Sequence, residues 1–175
     1  MLKAGIAHLW FVKIHPFDDG NGRLTGAITE RVLAQSDDSS QRFYSMSAQI
    51  LEQRNDYYKI LERIQKGDTD ITDWLCWFLQ TLEQALIAAQ MTTDKIIDKA
   101  SFWQNHRQHA LNTRQVTMLN NLLTDFYGNL TTKKWSVMTK CSIDTALRDI
   151  NDLIEKGMLK KSEASGRSTS YEVAL

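Results

Sequence analysis

The chain has 175 residues, which is enough for one ordinary domain or two small ones. Hydrophobic residues make up 42% of it and charged residues 24%, a soluble globular composition with enough apolar side chains for a core. Because 21 basic residues balance 21 acidic ones, the net charge points to no class of partner. No apolar run approaches the roughly eighteen residues that span a bilayer, so we expect no membrane association.

The first segment, "MLKAGIAHLWFVKIH", has helical spacing and lacks the cleavage site of a signal peptide. Pro16 cannot continue a helix, so the first helix is predicted to end near His15. A second helix is predicted to open at about Arg23. The residues expected on its inward face are Leu24, Ala27, Ile28, Val32 and Leu33.

Helical spacing resumes after the polar break "SDDSS". It predicts two helices with a joint near Asn55 and a stop at Gly67. Asp70 is the expected N-cap of the next helix, which continues as one long helix or a broken pair as far as Trp103. Cys76 and Cys141 lack metal-ligand spacing, and we interpret them as reduced core residues of a cytoplasmic protein.

The composition shifts near residues 108–113, and we predict two domains, 1–110 and 111–175. The second domain is expected to contain helices over 115–126, 134–138 and 142–155. Two strand-like runs follow, over 158–161 and 169–173, joined by a Ser/Gly turn. Three helices followed by a small hairpin is the layout of a winged helix. The fold class is therefore mainly α, with a small C-terminal β-hairpin.

The stretch "HPFDDGNGRLTG", from His15 to Gly26, combines residue types that phosphoryl or nucleotidyl transfer requires. His15 suits a general base, and Asp19 suits a magnesium ion. Gly20-Asn21-Gly22 can leave backbone N–H groups free for an anion, beside the forked cation of Arg23. Each residue alone also has a structural interpretation, as a core histidine, a turn residue or a tight turn. The combination favours the functional one.

This stretch resembles the Fic family motif, HxFx[DE]GNGRxxR. The matching positions, in order, are His15, Phe17, Asp19, Gly20, Asn21, Gly22 and Arg23. The segments "QRFYSMSAQI" and "DITDWLCWFL" look like helices around a Fic core. "CSIDTALRDINDLIEKGMLKKSEASGRSTSY" looks like the winged helix at the end of many longer Fic proteins. The resemblance thus implies a Fic-type helical bundle followed by a winged helix.

The resemblance implies adenylylation, the transfer of AMP from ATP to a Ser, Thr or Tyr hydroxyl of a target protein. His15 would take the proton of that hydroxyl, and Phe17 would anchor the loop in the core. Asp19 would hold Mg²⁺. Gly20, Asn21, Gly22 and Arg23 would cradle the phosphates.

The sequence departs from the family pattern at two points. Gly26 stands where the family has a second arginine, which is associated with orienting the terminal phosphate of ATP and with engaging an inhibitory glutamate. In addition, only fourteen residues precede His15, too few for the family's upstream helices and the β-hairpin flap that docks the target. We therefore expect the C-terminal part of a longer protein, and we leave open whether this chain itself is active or uses another phosphate donor.

A rival interpretation is a non-catalytic Fic remnant that scaffolds a DNA- or protein-binding winged helix. From Thr113 to Leu175 there are nine basic and seven acidic residues, a weak excess for DNA. The predicted recognition helix is also acidic. The basic residues available for a wing-side nucleic-acid patch are Lys133, Lys134, Lys140, Lys160, Lys161 and Arg167. Packing or protein docking is favoured over DNA, and the sequence leaves a homodimer open.

Overall fold

A computed structural model describes residues 1–37, 42–67, 69–124, 126–162 and 169–174. Over these ranges the chain is mainly helical, with eight helices and one two-stranded antiparallel sheet. It divides into two compact units, Met1–Thr92 and Thr93–Leu175. The division lies earlier in the chain than the composition shift near residues 108–113.

The first unit contains four helices and part of a fifth. They are α1 (Leu2–Ile14), α2 (Asn21–Ser36), α3 (Met46–Glu52), α4 (Arg54–Lys66) and α5 (Thr72–Asn105), and the unit boundary falls within α5. The predicted ends of α1 and α4 and the joint between α3 and α4 are confirmed, whereas α5 begins at Thr72, so that Asp70 lies one residue before the N-cap position while its carboxylate accepts from the Thr72 amide. α1 ends before Pro16, the joint between α3 and α4 is at Gln53, and Gly67 caps α4.

The core of the first unit forms where α1 lies against α5. A Cβ built on Gly5 would meet Phe78 at 3.0 Å and Leu75 at 3.2 Å, so glycine allows the close approach of the two helices. The Trp74 indole N–H donates to the Gly5 carbonyl at 2.8 Å. The buried apolar residues of this core are Ala4, Leu9, Leu33, Met46, Ile60, Leu61, Ile64, Trp74, Phe78 and Leu82.

The buried face of α2 differs from the one predicted. The helix buries Asn21, Thr25, Thr29 and Leu33, whereas Leu24 is exposed. The predicted face was wrong at Leu24 and Ala27, which are exposed. Leu33 is buried as predicted, Ile28 is half-buried, and Val32 packs half-buried against the core. Threonine can be buried here because its hydroxyl donates to the carbonyl four residues earlier, so no polar group is left unpaired.

The second unit contains α6 (Thr113–Leu122), α7 (Thr132–Thr139), α8 (Ile143–Glu155), β1 (Leu159–Lys161) and β2 (Tyr171–Val173). The strands pair antiparallel, with Leu159 opposite Val173, and an isolated bridge joins Leu130 to Tyr171. The predicted order of three helices followed by two strands is confirmed. The buried apolar residues that form the core of the second unit are Phe102, Met118, Leu119, Leu130, Trp135, Ala146, Ile150, Leu153, Met158, Leu159 and Tyr171.

Two smaller expectations have clear outcomes. Both cysteines are free, and Cys76 is exposed rather than the core residue that we expected, whereas Cys141 is half-buried and packs against the core of the second unit. Across the described ranges, no helix combines the length and apolar character needed to cross a membrane.

Candidate functional site

The candidate site is the turn between α1 and α2. His15 ends α1 in the left-handed region at φ 48°, an uncommon conformation for a residue other than glycine. Gly20 precedes α2 at φ 82°, where any side chain would be strained. These two positions reverse the chain, so that the residues between them form an exposed loop.

The start of α2 presents backbone N–H groups that the helix itself cannot use. The first backbone amide of α2 that donates is that of Leu24, which bonds the Gly20 carbonyl at 3.0 Å. Within the described ranges, no group accepts from the amides of Asn21, Gly22 and Arg23, and no side chain caps the helix. A Cβ on Gly22 would face open space, so an anion can approach these amides closely.

The Asn21 side chain holds the loop rather than a ligand. Its carbonyl oxygen accepts from the Phe17 amide at 3.2 Å, and its amide donates to the Phe17 carbonyl at 2.5 Å. The residue is buried. Of the two groups that Asn21 could offer a phosphate, only the backbone N–H is therefore available.

Asp19 and Arg23 form an ion pair one helical turn apart. The Arg23 Nη2 and Asp19 Oδ2 atoms are 3.4 Å apart, and the two side chains are 84% and 94% exposed. Such an exposed pair contributes little to stability, about 0–1 kcal/mol. Both groups can thus exchange this contact for a ligand at low cost.

His15 and Phe17 lie on the same exposed loop. His15 has an exposed side chain, as a base that must reach an incoming hydroxyl requires. Phe17 is 52% exposed and contacts the ring of Phe11 at a centroid distance of 6.4 Å. The expectation that Phe17 anchors the loop in the core is therefore wrong for this chain, and Asn21 holds the loop instead.

Gly26 lies half-buried on α2 and faces the first turn of α3. A Cβ built on it would come within 2.9 Å of the Ser47 Oγ atom. Sequence reasoning identified Gly26 as a departure from the motif but gave no signal for Ser47. The contact shows that the space at this position is partly taken by α3.

A buried polar cluster lies beneath the site. The His8 Nδ1 atom lies 2.9 Å from the Thr29 hydroxyl, and its Nε2 atom lies 3.0 Å from the Tyr57 hydroxyl. Burial lowers the pKa of His8 to about 4 and, with the neighbouring Tyr58, raises the pKa of Tyr57 to about 12. His8 is therefore a buried residue of the first unit, and the sequence gave no indication of Thr29 or Tyr57 as its partners.

The described residues contain no group of three or more His, Cys, Asp or Glu side chains that could hold a metal ion. Magnesium needs no such group, because it usually keeps several waters and binds one or two carboxylates together with substrate phosphates. The exposed carboxylate of Asp19, beside the free amides of α2, fits that mode of binding.

Some of the basic residues predicted to bind nucleic acid already contact other residues, and others are exposed. Lys134 donates to the Tyr127 carbonyl and lies 4.0 Å above the Phe126 ring, and Lys160 pairs with Glu172 at 3.3 Å. The side chains of Lys133, Lys140 and Lys161 are exposed. Arg167 lies outside the described residues.

A comparison with protein families matches one part of the chain. Residues 1–33 match the family model described as the Fic/DOC family. The match covers α1, the loop from His15 to Gly20 and most of α2, the elements that build the candidate site. The segment that carries the candidate site is therefore similar to the Fic/DOC family.

Proposed function

We propose that the α1–α2 turn is a nucleotide-phosphate site and that it serves a protein adenylyltransferase reaction. The observation that carries the proposal is the set of three unused amides at Asn21, Gly22 and Arg23, in a segment that matches the Fic/DOC family. Helix dipole and free N–H groups together favour an anion at this position.

Each exposed side chain of the loop has a role in such a reaction. The His15 imidazole accepts the proton of the target hydroxyl as its oxygen bonds the α-phosphorus of ATP. The bond from that phosphorus to the bridging oxygen breaks, and pyrophosphate leaves. The guanidinium of Arg23 compensates phosphate charge through its forked N–H donors.

Asp19 is the residue that would hold magnesium. Bound there, the ion would neutralise phosphate charge during transfer. To take that role, Asp19 must release Arg23, and the 3.4 Å separation between their atoms marks a weak pair. The release also frees Arg23 for the phosphates.

Gly26 limits what the site offers to the outer phosphates of a nucleotide. A glycine supplies no cation, and Ser47 lies where a side chain from this position would begin. We therefore place the main phosphate contacts at the start of α2, closer to the α-phosphate end. Another phosphate donor stays open for the same reason.

Calorimetry with Mg²⁺ and ATP tests the proposal. We expect ATP to bind, and Arg23→Ala to weaken it about tenfold or more, since a charge-assisted contact contributes about 1.5–3 kcal/mol. Arg31→Ala is the matched control, because Arg31 is also exposed on α2 but lies two turns further along. Absence of heat at millimolar ATP, or equal loss in both variants, would contradict the proposal.

We infer a second, separate role for the second unit as a winged helix that docks protein. The order α6–α7–α8–β1–β2 and the bridge from Leu130 to Tyr171 support the winged-helix assignment. Ile143 and Leu147, one turn apart on α8, are both exposed and apolar. An apolar exposed face is typical of protein docking rather than of contact with DNA phosphates.

The acidic residues of α8 give the docking proposal a further argument. Asp149 accepts from Arg114 at 2.7 Å and from Asn112 at 2.8 Å, and Asp152 accepts from Lys156 at 2.6 Å. These contacts occupy Arg114 and Lys156, which are then not free to bind phosphates. A gel shift with duplex DNA at low salt is expected to show no complex. A complex that Lys133→Ala and Lys140→Ala weaken would favour DNA instead.

A further inference from the structure

A series of hydrogen bonds between buried residues connects Tyr57 on α4 to the loop of the candidate site. Its side chains are each nearly inaccessible to solvent: His8 is 3% exposed, Thr29 1%, Thr25 1% and Asn21 4%. The Tyr57 hydroxyl closes the line at its inner end, and the backbone of Phe17 closes it at the outer end. We call this set, from Tyr57 through His8, Thr29, Thr25 and Asn21 to Phe17, the polar ladder.

The two threonine hydroxyls have fixed acceptors, and these determine which atom donates in each of the two bonds of His8. The Thr25 hydroxyl donates to the Asn21 carbonyl at 2.7 Å, and the Thr29 hydroxyl donates to the Thr25 carbonyl at 2.7 Å. Because the proton of Thr29 is used, its oxygen must accept from the Nδ1–H of His8. The Nε2 atom of a neutral His8 then has no proton and accepts from Tyr57.

The polar ladder connects the helices α1, α2 and α4 and the loop between α1 and α2. The His8–Thr29 bond joins α1 to α2, the His8–Tyr57 bond joins α1 to α4, and the Asn21–Phe17 bonds join α2 to the loop. Buried polar groups are costly to leave unpaired, so each bond specifies one register of its two elements. The position of the first residue of α2 is therefore set by contacts two turns further along that helix.

We propose that the polar ladder positions the phosphate loop, with His8, Thr29 and Tyr57 acting as positioning residues that touch no substrate. The proposal deepens the nucleotide-phosphate function and rests on it for its biological purpose. Its physical content is independent, since the ladder holds the Phe17–Asn21 contact whether or not a nucleotide binds. The neutral state of His8, whose pKa burial lowers to about 4, is the state that this bond pattern requires.

Amide hydrogen exchange at Phe17 tests the ladder directly, because that amide donates to the Asn21 side chain. Thr29→Val keeps the shape of the side chain and removes the acceptor of His8. We expect exchange at Phe17 to become at least about fivefold faster relative to the amide of Ile64, a buried α4 residue that reports unfolding of the unit. Thr29→Ser keeps the hydroxyl and is expected to restore the exchange rate.

Thr81→Val is the matched control for this substitution. Thr81 is as buried as Thr29, and its hydroxyl likewise donates to the carbonyl four residues earlier, but it lies outside the ladder. Its substitution is expected to leave the ratio of Phe17 to Ile64 exchange unchanged. An equal increase in both valine variants, or in neither, would overturn the proposal.

Two further measurements keep the proposal falsifiable if Thr29→Val does not fold. Tyr57→Phe removes one hydroxyl, and we expect it to accelerate Phe17 exchange about threefold, while Tyr58→Phe, at the exposed neighbour, leaves it unchanged. Nitrogen-15 NMR of the unaltered protein is expected to show His8 as the Nδ1–H tautomer. The Nε2–H tautomer would overturn the ladder. Failure of ATP binding alone would overturn the proposed function and leave these results standing.

Discussion

At the scale of single residues, His8 decides how the first unit responds to acid. It is buried between Thr29 of α2 and Tyr57 of α4, and its ring contacts Trp74 and Phe78 of α5. The only titratable partner among these is Tyr57, whose raised pKa keeps it neutral over the physiological range. Burial without a compensating charge therefore favours neutral His8 in the folded state.

The folding stability of the chain is expected to fall as the pH drops from about 6.5 towards 4. The unfolded chain binds a proton at His8 near pH 6.5, whereas the folded chain resists until its pKa of about 4. Each pH unit in this window lowers the free energy of unfolding by about 1.4 kcal/mol. Between pH 7 and pH 4.5 the free energy of unfolding is therefore expected to fall by about 2–3 kcal/mol. Urea unfolding followed by tryptophan fluorescence at the two pH values measures this loss.

His8→Gln is the variant that isolates the histidine term, because glutamine does not titrate. It should be less stable at pH 7 but show little change in stability between pH 7 and 4.5. His109→Gln, outside the cluster, should keep the pH dependence of the unaltered chain. A full pH dependence in His8→Gln would show that carboxylates carry the effect.

At the scale of secondary-structure elements, the ends of the helices could be predicted from the sequence more reliably than their buried faces. Pro16, Gly67 and the turn residues located the ends of α1 and α4 because proline and glycine act through local backbone geometry. The buried threonines of α2 were missed because hydrophobic periodicity assigns threonine to the surface. Thr25 and Thr29 are buried through bonds to α2 carbonyls and to His8, which no local pattern reveals.

The candidate site shows the same division between local and tertiary information. The position of the loop and the free amides at the start of α2 could be predicted from the sequence. Glycine favours a turn through its own backbone, and the first amides of any helix lack a partner within that helix. The exposure of Phe17 and the loop-holding role of Asn21 do not follow, because they depend on which side chain packs under the loop. Ser47 belongs to α3 and meets Gly26 only through tertiary packing.

The packing of α2 against α3 at Gly26 gives a prediction about nucleotide selectivity. Gly26→Arg supplies the cation that the family motif has at this position, provided that the Ser47 hydroxyl rotates away from its 2.9 Å contact. We expect affinity for ATP to rise about tenfold while affinity for AMP stays constant, since the added charge reaches only the outer phosphates. Calorimetry with the two nucleotides measures the difference.

Gly26→Ala controls for the helix itself. Alanine gains about 1 kcal/mol of helix propensity over glycine and makes the same first contact with Ser47, but it adds no charge. Its ATP and AMP affinities should match those of the unaltered chain. Equal gains for ATP and AMP in Gly26→Arg would indicate a general change of the loop rather than contact with the outer phosphates.

At the scale of the whole molecule, the two units support separate proposals. The first unit carries the segment that matches the Fic/DOC family, with the loop, the free amides and the polar ladder in one fold. The second unit has its own core and places three helices before an antiparallel hairpin, as the sequence predicted. Each proposal can therefore be tested without assuming the other.

The central claim is that the start of α2 binds nucleotide phosphate, and an NMR titration with Mg²⁺ and ATP tests it most directly. The backbone amide signals of Asn21, Gly22 and Arg23 should shift together and saturate, because these N–H groups have no acceptor within the described residues. The amides of α8, in the second unit, should not move. If millimolar ATP leaves the three α2 amides unchanged, the account is contradicted.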